Sequence, residues 1–154
     1  MSLIPVTIIT GFLGAGKTTL LNRILRDKQH KQRIAVIENE FGEENIDSNI
    51  LVQDDAEQIV EMSNGCICCT IRSDLVTALT RLANKRKSGE ISFDRVVIET
   101  TGLADPGPVA QTFFLEDAVA EDFMIDGIIT LMDAVFAMRQ LDEYEQARQQ
   151  ALFL

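Results

Sequence analysis

Gly11-Phe12-Leu13-Gly14-Ala15-Gly16-Lys17-Thr18 is the stretch that decides the fold. It follows Val6-Thr7-Ile8-Ile9, which reads as a buried parallel strand, and precedes Thr19-Leu20-Leu21-Asn22-Arg23-Ile24-Leu25, which opens with helical spacing. Strand, glycine loop and helix therefore come in the order of a phosphate-binding P-loop. The glycines let backbone N–H groups turn inward around phosphate oxygens, and the helix N-terminus adds the positive end of its dipole. Lys17 supplies a point charge for the β and γ phosphates, and the Thr18 hydroxyl is placed to ligate Mg²⁺.

Outward from this loop, strand and helix patterns alternate. Residues 33–39 read as a second strand, and the acidic stretch from Glu40 to Asp55 reads as a mobile loop. Residues 58–62 form a further short strand. Leu75, Ala78, Leu79 and Leu82 give helical periodicity to residues 74–87, with Gly89 as the stop. Arg95-Val96-Val97-Ile98-Glu99-Thr100 and residues 126–133 are apolar strands, and the tail from Ala134 reads mostly as helix. This alternation predicts an α/β fold, a mostly parallel sheet flanked by helices, with ligand loops at the carboxyl ends of the strands.

Composition narrows the partners. With 154 residues, 46% hydrophobic and 25% charged, the chain suits one soluble domain. A net charge of -10 opposes a nucleic-acid groove, which needs a basic stripe. Arg81, Lys85, Arg86 and Lys87 read as a solvated helix face. No apolar run approaches the roughly 18 residues of a membrane span, and the N-terminus enters the first strand without a signal peptide. A cytoplasmic protein is expected.

Two further motifs carry chemistry. Glu99 ends an apolar strand and is followed by Thr100-Thr101-Gly102. In P-loop proteins an acid at that place holds Mg²⁺ or its water, and a nearby glycine lets backbone N–H approach the γ-phosphate. The chain's 3 cysteines, Cys66, Cys68 and Cys69, all fall within Gly65-Cys66-Ile67-Cys68-Cys69. Without a secretory signal a disulfide framework is not expected, and clustered thiolates suit Zn²⁺ or another soft to borderline ion. The alternative is three small buried apolar residues. All three can meet one ion only if the backbone turns, because Cys68 and Cys69 would point to opposite faces of an extended segment. A fourth ligand is absent from the motif; Glu38 and Glu43 are the candidates. His30, among Lys28, Gln29 and Lys31, reads as solvated at a helix end.

GFLGAGKTTLLN at 11–22, IENEFGE at 37–43, NGCICC at 64–69 and IETTGLADP at 98–106 together resemble the CobW-type GTPases, with the YjiA-like branch most similar. The resemblance runs from Val6 to about Ala137. It implies a P-loop GTPase that binds transition metals, usually zinc or cobalt, and delivers them to a client metalloprotein. Carried over by residue, Gly11, Gly14, Ala15, Gly16, Lys17, Thr18 and Thr19 would hold the phosphates and Mg²⁺. Glu99 would take the Walker B role, and Gly102 would sense the γ-phosphate. Cys66, Cys68 and Cys69 would form the metal motif, with Glu38 and Glu43 as metal-site or switch residues.

Family members continue into an Asn-Lys-x-Asp guanine-reading motif and a smaller C-terminal domain. Neither is in this sequence, so residues 1–154 are expected to be the N-terminal part of a G domain, cut before its last strands. The residues alone indicate a nucleoside triphosphate; GTP follows from the resemblance. Asp47 or Glu43 is the candidate for orienting the attacking water. Two other classes of function stay open: a P-loop kinase or other NTP-dependent enzyme with structural cysteines, and a zinc-buffering or redox-sensing module. A second copy of the chain is also admitted as a partner, and residues 140–152 could dock on another domain or chain, although a core face suits them better.

Overall fold

The computed structural model describes residues 2–27, 29, 31–38, 47–52, 59–63 and 71–153. The elements in chain order are β1 (Ile4–Gly11), α1 (Lys17–Arg26), β2 (Ile34–Glu38), β3 (Asp47–Val52), β4 (Ile59–Ser63), α2 (Ile71–Lys87) and β5 (Arg95–Glu99). They continue through α3 (Pro106–Leu115), α4 (Asp117–Ala120), β6 (Phe123–Leu131), α5 (Ala137–Glu143) and α6 (Glu145–Ala151). Among the described residues six strands form one sheet in the order β4-β3-β2-β5-β1-β6. β2, β5, β1 and β6 are mutually parallel, whereas β3 pairs antiparallel with both β2 and β4.

The inner parallel strands β1, β2 and β5 are apolar on both sides because helices cover both. Ile4, Val6 and Ile8 of β1, Ala35 and Ile37 of β2, and Val96 and Ile98 of β5 share one face. They pack there with Leu75, Leu79 and Leu82 of α2, Val109 and Phe113 of α3, and Val119 of α4. The opposite face carries Ile9, Ile34, Val36 and Val97 and is covered by Leu21 of α1. Burying one such Ile, Leu, Val or Phe side chain is worth about 1.5–3 kcal/mol. The two-sided core thus fixes the strand register, and with it the level of every loop that leaves the carboxyl end of the sheet.

The expected loop over residues 40–55 contains a strand instead. Ile50, Leu51 and Val52 of β3 lie opposite Ile37, Val36 and Ala35. Pairing with the open edge of β2 outweighs the polar composition of the surrounding stretch. The tail is mostly helical, as expected, and runs as two helices. Tyr144, with φ -123 and ψ 123, ends α5 and opens α6. Residues 106–120, which carry no sequence expectation, form α3 and α4. Asp105 caps α3 by accepting from the Gly107 N–H at 2.8 Å, with Pro106 at the first helical position.

The basic cluster is only partly a solvated face. Lys85 bonds Glu90 and Lys87 bonds Asp122, both at 2.6 Å. Arg86 donates from Nε to the Phe93 carbonyl at 3.0 Å, and its guanidinium lies 5.6 Å from the Phe93 ring centroid. Gly89 lies just past the end of α2, as expected.

Candidate functional site

β1 delivers the glycine loop directly onto α1. Gly16 is the N-cap of α1 with φ 95, a left-handed conformation that a β-carbon would strain. The loop is tightened by the Ala15 N–H donating to the Phe12 carbonyl at 3.1 Å, and the Gly16 carbonyl accepts from the Leu20 N–H at 2.9 Å. Lys17 begins α1 and is buried. Its Nζ donates to the carbonyls of Gly11 at 2.8 Å and Phe12 at 3.2 Å, which directs the ammonium into the loop. Burial lowers the Lys17 pKa from the ordinary value, and the nearby Glu99 carboxylate works against that shift.

Thr18 and Glu99 are 81 positions apart in sequence and meet here: the Thr18 hydroxyl donates to Glu99 Oε1 at 2.6 Å. β1 and β5 make that contact by placing Ile9 opposite Glu99. The join is reinforced just beyond, where the Thr100 N–H donates to the Ile9 carbonyl at 2.9 Å and the buried Thr100 and Thr10 hydroxyls lie 3.0 Å apart. Glu99 Oε2 is buried and has no hydrogen-bond partner. A buried carboxylate oxygen with spare capacity, beside a hydroxyl at the start of a P-loop helix, is a donor set that suits Mg²⁺.

Gly102 lies against the glycine loop. A β-carbon built there would stand 2.6 Å from the Leu13 backbone nitrogen and 2.7 Å from its α-carbon, so only glycine permits this approach. The segment expected to respond to the γ-phosphate therefore touches the phosphate loop. Leu13 and Leu103, one on each segment, are both 54% exposed.

Of the expected metal residues, Glu38 is described. It ends β2 and lies in register with Glu99 on β5. Residues at the same level of neighbouring parallel strands are about 5 Å apart and project to the same face. The alternation of Val36 and Glu38, and of Val97 and Glu99, puts both carboxylates on the α1 side. Cys66, Cys68, Cys69, Glu43 and His30 lie outside the described residues, as does the side chain of Asp47. Among the described residues no group of three or more His, Cys, Asp or Glu side chains is placed to hold a metal.

The tail adds contacts that sequence reasoning missed. Tyr144 packs on Phe12 of the glycine loop with ring centroids 4.8 Å apart. Gln150 is buried, and its Nε2 donates to the carbonyls of Gly102 at 3.1 Å and Ala104 at 3.0 Å. A polar residue in a helix rich in Glu, Gln and Arg reads as surface, and no pattern in the sequence distinguishes Gln150 from Gln146 or Gln149.

The family profile described as the CobW/HypB/UreG nucleotide-binding domain matches residues 5–153. The chain belongs to this family. Among CobW-type relatives, the zinc chaperone YjiA of Escherichia coli (strain K12) is 51% identical over 150 residues, covering 97% of this chain and 46% of the relative. The zinc-regulated GTPase metalloprotein activator 1 of Schizosaccharomyces pombe is 47% identical over 135 residues, covering 84% of this chain and 32% of the relative. The crystal structure of the Zn(II)-bound YjiA GTPase from E. coli superposes with a TM-score of 0.74 at 44% identity, over 99% of this chain and 48% of that one. The chain thus spans about half or less of the length of these CobW-family proteins. Among the described residues no helix is long and apolar enough to cross a membrane.

Proposed function

We propose that this chain is the GTP-hydrolysing part of a zinc-delivering protein, in which the phosphate state of the nucleotide controls a zinc site. The reading rests most directly on the register pairing of Glu38 with Glu99, which brings a candidate zinc ligand next to the Mg²⁺ end of the phosphate site. The relatives named as a zinc chaperone and a zinc-regulated GTPase support the choice of nucleotide and metal.

In this reading Gly11, Gly14, Ala15, Gly16 and Thr19 surround the phosphates with backbone N–H groups. Lys17 neutralises charge that builds on the β–γ bridge and terminal oxygens during transfer to water. Thr18 and Glu99 hold Mg²⁺, which when bound shields the phosphate charge. Gly102 presents backbone to the γ-phosphate. Cys66, Cys68 and Cys69, completed by Glu38 or Glu43, hold the zinc cargo, with Co²⁺ as a substitute. Clustered free thiols suit the reducing cytoplasm, and the metal passes to a client metalloprotein.

The test is phosphate release by the reduced protein, with zinc stoichiometry measured alongside. GTP should be hydrolysed to GDP and free phosphate. Lys17→Ala should weaken nucleotide binding at least about 100-fold, the size expected for losing charge-assisted hydrogen bonds. Cys68→Ala should weaken zinc binding with nucleotide affinity little changed. Phosphate found on an acceptor other than water, or unchanged zinc affinity in Cys68→Ala, would contradict the assignment.

A further inference from the structure

The α5–α6 segment touches both the glycine loop and the Gly102 loop, and Gln150 makes the most specific of these ties. Its side chain is almost fully buried, and both of its Nε2 hydrogens are committed, one to the Gly102 carbonyl and one to the Ala104 carbonyl. That donor pair fixes the amide orientation, since the reversed amide would turn its oxygen onto two carbonyl oxygens. Gln150 Oε1 is then buried without a partner, and so is Thr101 Oγ1 on the loop that Gln150 holds. Buried unpaired polar atoms are costly in a settled core, and their concentration here marks a segment whose hydrogen bonds are not all spent in this arrangement.

The backbone of Gln150 is anchored separately. Its carbonyl accepts from the Thr130 hydroxyl of β6 at 3.3 Å. At the other end of α6, Tyr144 packs against Phe12. The helix therefore has fixed points on the sheet and on the glycine loop, and the Gln150 side chain reaches from it to the Gly102 segment. In a trans peptide the carbonyl and the next N–H point opposite ways. Holding the carbonyls of Gly102 and Ala104 therefore sets the direction of the 102–103 and 104–105 peptide planes, beside the Leu13 backbone that Gly102 touches.

We propose that Gln150 is a positioning residue for the Gly102 loop, through which α6 takes part in discriminating the triphosphate from the diphosphate. The proposal rests on the GTPase reading above and adds to it a residue outside all four sequence motifs. Its effect is confined to the state in which the γ-phosphate meets the Gly102 loop. Contacts with the α and β phosphates come from the glycine loop, which both nucleotides share.

The test measures dissociation constants of GTPγS and GDP, with Mg²⁺, for the natural protein and for Gln150→Met. The methionine keeps the volume and removes both donors. Affinity for GTPγS relative to GDP should fall about tenfold, the loss expected for two neutral hydrogen bonds, while GDP affinity stays near that of the natural protein. Equal weakening of both nucleotides would show a merely structural role, and an unchanged ratio would overturn the proposal outright. Hydrogen exchange on the natural protein gives a second measurement that needs no variant: replacing GDP by GTPγS should alter protection at residues 101–105 and at 145–151 together. A change at 101–105 with none in α6 would overturn the proposal and leave the GTPase reading standing. Failure of the natural protein to bind either nucleotide would overturn that reading, and the proposal with it.

Discussion

At Lys17, burial lowers the pKa from the ordinary 10.5, and Glu99 opposes the shift. In the interval between the lowered value and 10.5 the unfolded chain binds the proton and the folded one does not, so this group's contribution to stability rises with pH there. Replacing Glu99 with glutamine removes the charge that favours the ammonium. The account predicts that Lys17 then titrates at lower pH, a shift that side-chain NMR of the lysine would record; an unmoved titration would mean that Glu99 does not act on Lys17. Gly102 permits a sharper substitution. A β-carbon at this position would meet the Leu13 backbone, which cannot swing aside as a flexible side chain does. Gly102→Ala should therefore lower stability by about 1–3 kcal/mol, the usual cost of overpacking. Thermal denaturation would measure this, and a midpoint equal to that of the natural protein would contradict the close approach.

At the scale of elements, the start of β2 is locked to the start of β5 by Arg33 and Asp94. The guanidinium donates to Asp94 Oδ1 at 2.8 Å and Oδ2 at 3.1 Å, and the Arg33 N–H donates to Oδ2 at 3.0 Å. The side-chain bond from Arg33, followed by the backbone bond, holds the Asp94 pKa below its ordinary value of 3.8. A lowered carboxyl stabilises the fold at pH above the ordinary value, and that stabilisation is lost as pH falls through the lowered one. Because the pair is well exposed, Asp94→Asn should cost no more than about 1 kcal/mol at neutral pH and should flatten the acid limb of stability. Acid titration of the melting midpoint would check it.

The same scale shows what the sequence made legible. β1, β2 and β5 were readable because continuous Val and Ile runs have few alternatives in a doubly covered sheet, β6 because of its Ile128-Ile129-Thr130-Leu131 run, and α1 because its glycine loop announces it. β3 was not, since Ile50-Leu51-Val52 is a short apolar run in acidic surroundings and becomes a strand only by pairing with β2. α3 left an unused signal in Asp105-Pro106, a cap followed by a proline at the first helical position. Within the site, the meeting of Lys17, Thr18, Glu99 and Gly102 could be anticipated from motif order, a glycine loop beside the acidic end of a neighbouring strand, while their roles toward nucleotide and Mg²⁺ belong to the proposed function. Gln150 and Tyr144 were not, because their tasks exist only after the tail has folded back over the loops. Phe12→Ala tests that closure: losing the Tyr144 ring contact should cost about 0.5–1.5 kcal/mol beyond the lost apolar area, read from a double-mutant cycle with Tyr144→Ala.

Across the whole molecule, the arrangement is one of adjacency. The glycine loop leaves β1, the candidate Mg²⁺ carboxylate Glu99 ends β5, and the candidate zinc carboxylate Glu38 ends β2, which puts all three at the carboxyl ends of neighbouring strands. If zinc binds at Glu38, a shift at Glu99 has only one strand spacing to cross to reach it. Coupling of this kind is reciprocal in its free energy: if GTP changes zinc affinity, zinc changes GTP affinity by the same factor. The most direct measurement is a zinc titration of the reduced protein with Mg²⁺, once with GTPγS bound and once with GDP, paired with nucleotide titrations in the presence and absence of zinc. The account predicts zinc affinities that differ between the two nucleotide states, matched by an equal factor in the nucleotide titrations. Identical zinc affinity in both states would contradict it.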